Sequence, residues 1–260
     1  MISGVNWAEP WLAPYAGAGR CAQAVIPQLG VAGALNTHGC AGPPRFVEQQ
    51  ALPANEAYES FIARTGTVPT RDNFHDFFNG LVWLAFPQAK RRLNDLQAAE
   101  IARCGVGPTR GPVRDALTLF DENGAVLQAP SALWEALRAR DWLRLFVGQR
   151  ALWQQARLLV FGHALMEKLL AGRKDATAHV LLAPGSGAFS IAPEDGAIAA
   201  ALQAGHLAQK PFTPLPILGV PLWCAGNEDF CFYDDLRVFR PRRNPEKTTR
   251  KAPAHDRRAA

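Results

Sequence analysis

The sequence predicts an α+β fold that is mainly α-helical, with a small β-sheet, in a single compact domain. Three observations predict it: amphipathic runs of helical period, short β-prone runs beside an Asn-Gly pair, and a long extended proline-rich segment near the C-terminus. The chain has 260 residues, 48% of them apolar, and can therefore bury a sizeable core. We expect a loop-rich N-terminal wrap over residues 1–54, a globular domain over 55–241 and a disordered basic tail over 244–260.

The N-terminal region is rich in glycine, proline and alanine. Glycine and proline weaken regular helices, so this composition favours loops that wrap the body of the protein. One short helix is expected near residues 20–29.

The strongest helix signals lie between residues 55 and 105. A helix over 55–64 is ended by Gly66, and Thr70 or Asp72 is expected to cap a helix that runs to Phe86, where Pro87 breaks it. The following segment, QAKRRLNDLQAAEIARCG, is amphipathic and ends in a glycine. It predicts a helix packed on the preceding one.

The middle of the chain mixes strand and helix signals. ALTLFDENGAVL places two β-prone runs around Asn-Gly, which is typical of a β-hairpin. Helices are predicted over 131–139 and 150–170, a strand over 178–183, and a short helix that begins at Pro193. Four prolines over 211–221 exclude helix and favour an extended segment laid on the surface.

The positive charge of the chain is concentrated at its C-terminus. The formal net charge is +5, with nine basic and two acidic residues in 237–260, so 19 basic and 21 acidic residues remain for 1–236. The tail has few apolar residues and is expected to be disordered. It predicts at most weak contact with nucleic acid, because it lacks the interleaved aromatic residues of single-strand binders.

Several functional classes are disfavoured by simple sequence features. No apolar run is long enough to span a bilayer, and the first residues lack the pattern of a secretory signal. The cysteines are odd in number and widely spaced, which argues against a disulfide framework or a structural zinc site. We therefore expect a cytoplasmic protein with no membrane contact. Its partners are not indicated.

A first polar cluster lies in the aromatic segment DNFHDFFNGLVWLAF. His75 and Asn79 share one helical face, and Asp76 lies one step round it. Burying polar groups in an apolar helix is costly unless each has a partner, so the cluster indicates either a site or a hydrogen-bonded network. Asn79 and Trp83 are expected to contact a substrate.

A second polar cluster, in LLVFGHALMEKLL, sets His163 and Glu167 four residues apart. If the two helices converge, His75, His163 and Glu167 are candidate ligands for zinc, manganese or iron. The corresponding function is a metal-dependent hydrolase, in which Glu167 or Asp76 takes a proton from a metal-bound water. The spacing is not that of H-E-x-x-H. The alternative is a non-catalytic binding or scaffold protein whose polar residues stabilise helix packing.

A third polar cluster, RGPVRDALTLFDENG, precedes and includes the expected hairpin. Arg110 and Arg114 are candidates for binding an anionic substrate group, although a surface salt bridge explains them almost as well. Asp115 is a candidate catalytic residue because a buried strand is expected directly after it. The polar residues from Asp121 to Gly124 are interpreted as turn chemistry.

Four motifs together resemble the bacterial domain-of-unknown-function family 3025. They are NFHDFFNGLVWLAFPQAKRRLN, RGPVRDALTLFDENG, VFGHALMEKLL and PFTPLPILGVPLWCAGNEDFCFYDDLRVFRP. The resemblance implies no activity. It implies that six residues occupy motif positions of the family: His75, Asp76, Asn79, Asp115, His163 and Glu167.

Overall fold

A computed structural model describes residues 2–38, 44–106, 110–185 and 189–242 of the chain. The helices are α1 (Ala16–Asn36), α2 (Tyr58–Thr65), α3 (Phe74–Ala85), α4 (Pro87–Cys104), α5 (Pro112–Asn123), α6 (Ser131–Ala139), α7 (His163–Leu170), α8 (Asp195–Ala201) and α9 (Ala204–Leu207). The strands are β1 (Arg45–Glu48), β2 (Thr67–Thr70), β3 (Gly124–Gln128), β4 (Arg157–Val160), β5 (Thr177–Leu181) and β6 (Phe212–Pro216).

The strands form two small sheets. β1 and β2 pair in parallel, and the larger sheet has the order β4-β3-β5-β6. In that sheet β3 is antiparallel to β4 and parallel to β5, and β6 is antiparallel to β5. The mainly helical α+β class predicted from the sequence is therefore confirmed.

Helix α3 lies at the centre of the molecule. Its residues from Asp76 to Trp83 are all buried, and it packs against α1, α4 and α7. The helix begins at Asn73, whose side chain accepts a hydrogen bond from the amide of Asp76, and it ends before Pro87. The expected caps, Thr70 and Asp72, are therefore wrong by one to three residues.

The short helix expected near residues 20–29 is confirmed as part of α1, but the N-terminal region is more helical than the loop-rich wrap that was predicted. α1 runs over 21 residues and continues past Pro27 and a kink at Gly30, where φ is +66°. Asp72 accepts a hydrogen bond from the amide of Val31 at 2.7 Å, so it caps the second half of this helix. The small residues that weaken the helix signal in the sequence allow α1 to pack closely on α3.

The predicted hairpin around Asn123-Gly124 was also wrong. Residues 112–123 form helix α5, and β3 begins directly after it. Val113, Ala116 and Phe120 have helical spacing and face inward, and Pro112 stands at the first helical position. The Asn-Gly pair marks the end of a helix here, so no buried strand follows Asp115.

The helix predicted over 150–170 is divided into shorter elements. Residues 150–155 form a 3₁₀ turn, Arg157–Val160 is strand β4, and only His163–Leu170 is an α-helix. A short apolar run such as RLLV fits a buried strand and a buried helix equally well by its periodicity. Leu159 therefore does not share a helical face with His163.

The remaining predicted elements are located as follows. The helices at 131–139 and 88–105 are confirmed to within a residue, and the strand near residue 178 is β5. The first part of the proline-rich segment forms β6. The tail over 244–260 lies outside the described residues. In the described ranges, every helix is too short or too polar to cross a lipid bilayer.

Candidate metal centre

Three side chains from separate helices converge at one point. The Nε2 atoms of His75 and His163 are 3.0 Å apart. The Oε2 atom of Glu122 lies 4.0 Å from the first nitrogen and 3.6 Å from the second. These three residues group as possible metal ligands in the described part of the chain.

The three atoms are spaced as metal ligands are. A triangle with these edges contains a point about 2.1 Å from all three corners, and bonds from zinc to histidine nitrogen or carboxylate oxygen are about 2.0–2.2 Å long. One cation can therefore contact all three atoms without large side-chain movement. Three protein ligands also leave a coordination position open for water or substrate.

The ends of the helices place these residues. His75 lies in the first turn of α3, Glu122 at the end of α5 and His163 at the start of α7. Gly162 allows the close approach of α7 to α5: a Cβ atom there would lie 2.6 Å from the backbone of Asn123. The amide of Gly162 donates to the carbonyl of Gly124, which holds the two helix ends together.

A carboxylate faces the other nitrogen of each imidazole. Glu167 Oε2 lies 3.4 Å from His75 Nδ1, and Asp121 Oδ1 lies 3.9 Å from His163 Nδ1. The latter nitrogen is buried and has no hydrogen-bond partner in the described part of the chain. Carboxylates in these positions orient the imidazole of a metal ligand and increase its basicity.

A buried lysine fixes Asp121. The Lys90 ammonium, 2% exposed, donates to Asp121 Oδ1 at 2.5 Å and to Asn79 Oδ1 at 2.8 Å. Asn79 in turn donates to the hydroxyl of Tyr58 at 3.2 Å. This network stabilises the packing of α2, α3, α4 and α5, and it satisfies the side-chain amide of Asn79 on α3.

Burial and charge set the protonation states in the cluster. Burial lowers the pKa of His163 to about 3, so this imidazole is neutral at neutral pH, as a ligand must be. Burial also raises the pKa of Glu122. For Asp121, burial alone would raise the pKa, but the charge of Lys90 and the hydrogen bond from Lys90 lower it below its usual value.

The cluster opens into a cavity of about 330 Å³. This volume is within the range of small-molecule sites. The wall is mostly polar and combines residues of both charges: Gln49, Leu52, Tyr58, Glu59, Arg71, His75, Asp76, Asn79, Gln97, Arg110, Thr118, Asp121, Glu122 and His163.

The structure brings His75, His163 and Glu167 together, but not in the predicted arrangement. Glu167 contacts the Nδ1 atom of His75, on the opposite side of the ring from the Nε2 cluster. Glu122, expected from the sequence to belong to a turn, is the third member of the group of possible ligands in place of Glu167. The C-terminal end of a helix placed beside two histidines is a tertiary feature that no local signal in the sequence indicates.

Of the other α3 residues expected at the site, Asp76 and Asn79 line the cavity and Trp83 does not. Asp76 lines the cavity, and Arg71 donates to both of its carboxylate oxygens at 3.0 Å. Asn79 lines the cavity as part of the Lys90 network. Trp83 is 4% exposed and lies under the Lys90 ammonium, outside the cavity wall.

The residues expected from the third polar cluster are separated, because Arg110 precedes α5 and Arg114 and Asp115 lie on different faces of it. Arg110 lines the cavity, where its guanidinium lies 3.4 Å from Thr118 Oγ1. Arg114 is buried, and its Nε has no hydrogen-bond partner in the described residues. Asp115 is exposed and lies 3.7 Å from Lys210. The structure does not bring Arg114 or Asp115 to the cluster.

Comparison with known proteins identifies the family but no activity. Residues 44–243 match the family described as "Protein of unknown function (DUF3025)". The match covers more than half of the chain, so the protein belongs to this family. No curated protein and no solved structure matches the chain.

Proposed function

We propose that His75, Glu122 and His163 bind one divalent metal ion, and that the protein is a metal-dependent hydrolase whose substrate occupies the adjoining cavity. The observation that carries the proposal is the triangle formed by the two Nε2 atoms and the Glu122 Oε2 atom, with edges of 3.0, 3.6 and 4.0 Å. Two neutral imidazoles and one carboxylate are ligands that zinc, manganese and iron accept.

The charge around the cluster also favours a cation. Three carboxylates, those of Asp121, Glu122 and Glu167, surround the two histidines, and one ammonium, that of Lys90, opposes them. Lys90 pairs with Asp121, and in the described part of the chain no lysine or arginine forms a salt bridge with Glu122 or Glu167. A divalent cation would neutralise them.

The proposed chemistry is hydrolysis by a metal-bound water. An ion held by these three residues would lower the pKa of a bound water and would supply a nucleophile at neutral pH. Of the two expected proton acceptors, Asp76 is held by Arg71, and Glu167 faces the far side of the His75 ring. Asp121 lines the cavity but faces Nδ1 of His163, on the far side of that ring from Nε2, so we assign it to orienting this imidazole. We assign Arg110 to the substrate, since its guanidinium lies in the cavity wall.

Metal analysis tests the first half of the proposal. We expect about one equivalent of zinc, manganese or iron in protein purified without added metal, and none in Glu122→Gln or in the double variant His75→Ala/His163→Ala. Glu59→Gln is a matched control, because Glu59 lines the same cavity and is not one of the grouped ligands. A Glu122→Gln variant with full metal content would contradict the ligand assignment.

Hydrolysis of chromogenic esters tests the second half. Metal-loaded protein would be assayed with p-nitrophenyl acetate, p-nitrophenyl phosphate and bis-p-nitrophenyl phosphate, with Glu122→Gln as the inactive control. We expect turnover of at least one ester that is lost on chelation and restored by metal. Bound metal without turnover of any ester would favour a structural or binding role.

The second candidate function is a non-catalytic binding or scaffold protein. It is favoured by the Lys90, Asn79 and Asp121 network, which is already satisfied without any ligand. Three large apolar side chains of the C-terminal segment are also exposed: Leu222, Phe230 and Leu236. Partners, weak nucleic-acid contact through the basic tail and a cytoplasmic location stay predictions.

A further inference from the structure

A second and larger depression lies on the sheet, away from the metal centre. It has a volume of about 600 Å³, and we call it the β6 groove. Thr177 and His179 of β5 and Phe212, Pro214 and Pro216 of β6 line it. Alternate residues of both strands thus form a floor on the sheet face opposite the one that Ala178 and Val180 bury, and the β6 part of this floor is apolar.

The β6 groove is strongly cationic. Four basic side chains line it, those of Arg140, Lys210, Arg237 and Arg240. One carboxylate, Asp175, also lines it, but it is paired with Arg173 at 2.7 Å. Of the four cations, Lys210 lies 3.7 Å from Asp115 and Arg237 lies 3.5 Å from Asp235. In the described part of the chain, Arg140 and Arg240 have no carboxylate partner, so they leave the groove with positive charge.

Two of these cations occupy an unusual backbone conformation. Arg140 follows helix α6 with φ of +54°, and Lys210 follows helix α9 with φ of +51°. Glycine or asparagine is the usual residue at such left-handed positions after a helix, because a Cβ atom is strained there. Residues held in this conformation cluster at functional sites. Arg140 and Lys210 both line the β6 groove.

The cations differ in how they are engaged. In the described part of the chain, no hydrogen bond or ion pair engages the guanidinium of Arg140, and the nearest carboxylate of Lys210 is Asp115 at 3.7 Å. Arg240 is positioned instead: Trp142 Nε1 donates to its carbonyl at 2.9 Å, and its own Nε donates to the carbonyl of Arg237 at 2.8 Å. The groove thus combines ordered walls with cations that can take an anionic partner.

We propose that the β6 groove binds a small molecule that carries phosphate groups next to a planar apolar group, such as a nucleoside diphosphate. Guanidinium and ammonium groups are the side chains that bind phosphate, and a volume of about 600 Å³ suits a ligand of this size. The floor of Phe212, Pro214 and Pro216 fits the planar part of the ligand. This site is independent of the proposed metal centre.

Titration calorimetry with ADP, inorganic pyrophosphate and adenosine tests the proposal. The informative variants are Arg140→Gly and Lys210→Gly, because glycine removes the cation and also suits the positive φ. We expect each variant to melt at or above the wild-type temperature and to bind ADP at least tenfold more weakly. Arg20→Gln, an exposed arginine on α1, is the matched charge control and should bind ADP as the wild type does.

The possible results distinguish the phosphate part of the ligand from its planar part, and the β6 groove from the metal centre. ADP binding that exceeds pyrophosphate binding supports both the phosphate and the planar part, and equal binding supports the phosphate alone and overturns the planar part. His75→Ala should retain ADP binding, because the metal centre is not involved. The proposal is overturned if ADP and pyrophosphate do not bind at millimolar concentration, or if both glycine variants bind ADP like the wild type.

Discussion

The Nε2 atoms of His75 and His163 lie 3.0 Å apart, although 88 residues separate them in the chain. Two imidazole nitrogens at this distance must share either a proton or a cation, because two lone pairs or two N–H groups would repel each other. The nearby Oε2 atom of Glu122 completes a set of three acceptors around one point. Glu122, Asp121 and Glu167 face different atoms of the two imidazoles, so substitution of each carboxylate tests a different contact.

Glu167→Gln is expected to weaken metal binding without changing the stability of the fold. The Glu167 side chain is 49% exposed and contacts only His75 Nδ1 within the cluster, so the free energy of unfolding should change by less than about 0.5 kcal/mol. Loss of the carboxylate should weaken metal affinity by about 10–100-fold, because it orients the imidazole. Metal titration followed by a melt of the same sample measures both. A large loss of stability with unchanged affinity would assign Glu167 to the core network instead.

Lys90→Met is expected to be strongly destabilising. Lys90 is 2% exposed, and its removal leaves the Asp121 carboxylate in a buried site without its cation. Breaking one partner of a buried pair costs about 3 kcal/mol or more. Urea unfolding of the variant gives the value. Lys168→Met is the control: its half-buried ammonium donates to the neutral Asn123 side chain, so about 1 kcal/mol is expected. Equal losses of stability in both variants would show that the Lys90–Asp121 pair contributes no more than the hydrogen bond between Lys168 and Asn123.

Gly162→Ala is expected to disturb the cluster through the backbone. The added Cβ would lie 2.6 Å from the backbone of Asn123, so α7 must shift away from α5 and carry His163 with it. We expect a loss of about 1–3 kcal/mol together with reduced metal affinity. Gly205→Ala is the control, because its Cβ would meet no atom within 4 Å. Normal metal binding by Gly162→Ala would mean that the helix ends tolerate the shift.

Local signals predicted some helices well. α6 was predicted at residues 131–139 because proline and serine open it and its apolar residues have helical spacing. α4 was predicted from its amphipathic pattern and its terminal glycine. Only residues 20–29 of α1 were predicted as helix, because Pro27 and Gly30 weaken its local signal, whereas close packing on α3 and the Asp72 cap stabilise the full helix. Tertiary contacts therefore stabilise this helix where its local sequence does not.

The candidate site was predictable only in part. His75 and His163 were candidates because each imidazole interrupts an apolar segment, and burying it needs a partner. Glu122 was not, since it stands beside an Asn-Gly pair that is typical of a turn. Its role depends on α5 being a helix that ends against α7, and that contact joins residues 40 positions apart. Asp115 was assigned to the site on the assumption of a strand that does not exist.

His179→Gln is expected to reduce the sensitivity of the protein to acid. Burial lowers the pKa of His179 in the folded state, and the charge of Lys168 adds to the effect. As the pH falls below about 6.5, the unfolded chain takes up a proton on this histidine before the folded protein does, so stability decreases until the lower folded pKa is passed. Urea unfolding at pH 7 and pH 5 should show a smaller loss for the variant. An identical loss would mean that other groups govern the acid response.

Tyr15→Phe is expected to show that the N-terminal region belongs to the core. The Tyr15 hydroxyl donates to the carbonyl of Val160 at 2.7 Å, and the side chain is 1% exposed. The substitution keeps the ring in place and leaves a buried carbonyl unsatisfied, which costs about 1–2 kcal/mol. Equilibrium unfolding in urea measures this, and the m-value should not change because the same surface is exposed. Tyr58→Phe is the comparison, since its hydroxyl accepts from Asn79 at 3.2 Å within the Lys90 network. If Tyr15→Phe unfolds at the wild-type urea concentration, the hydrogen bond from the Tyr15 hydroxyl contributes nothing to the stability of the folded protein.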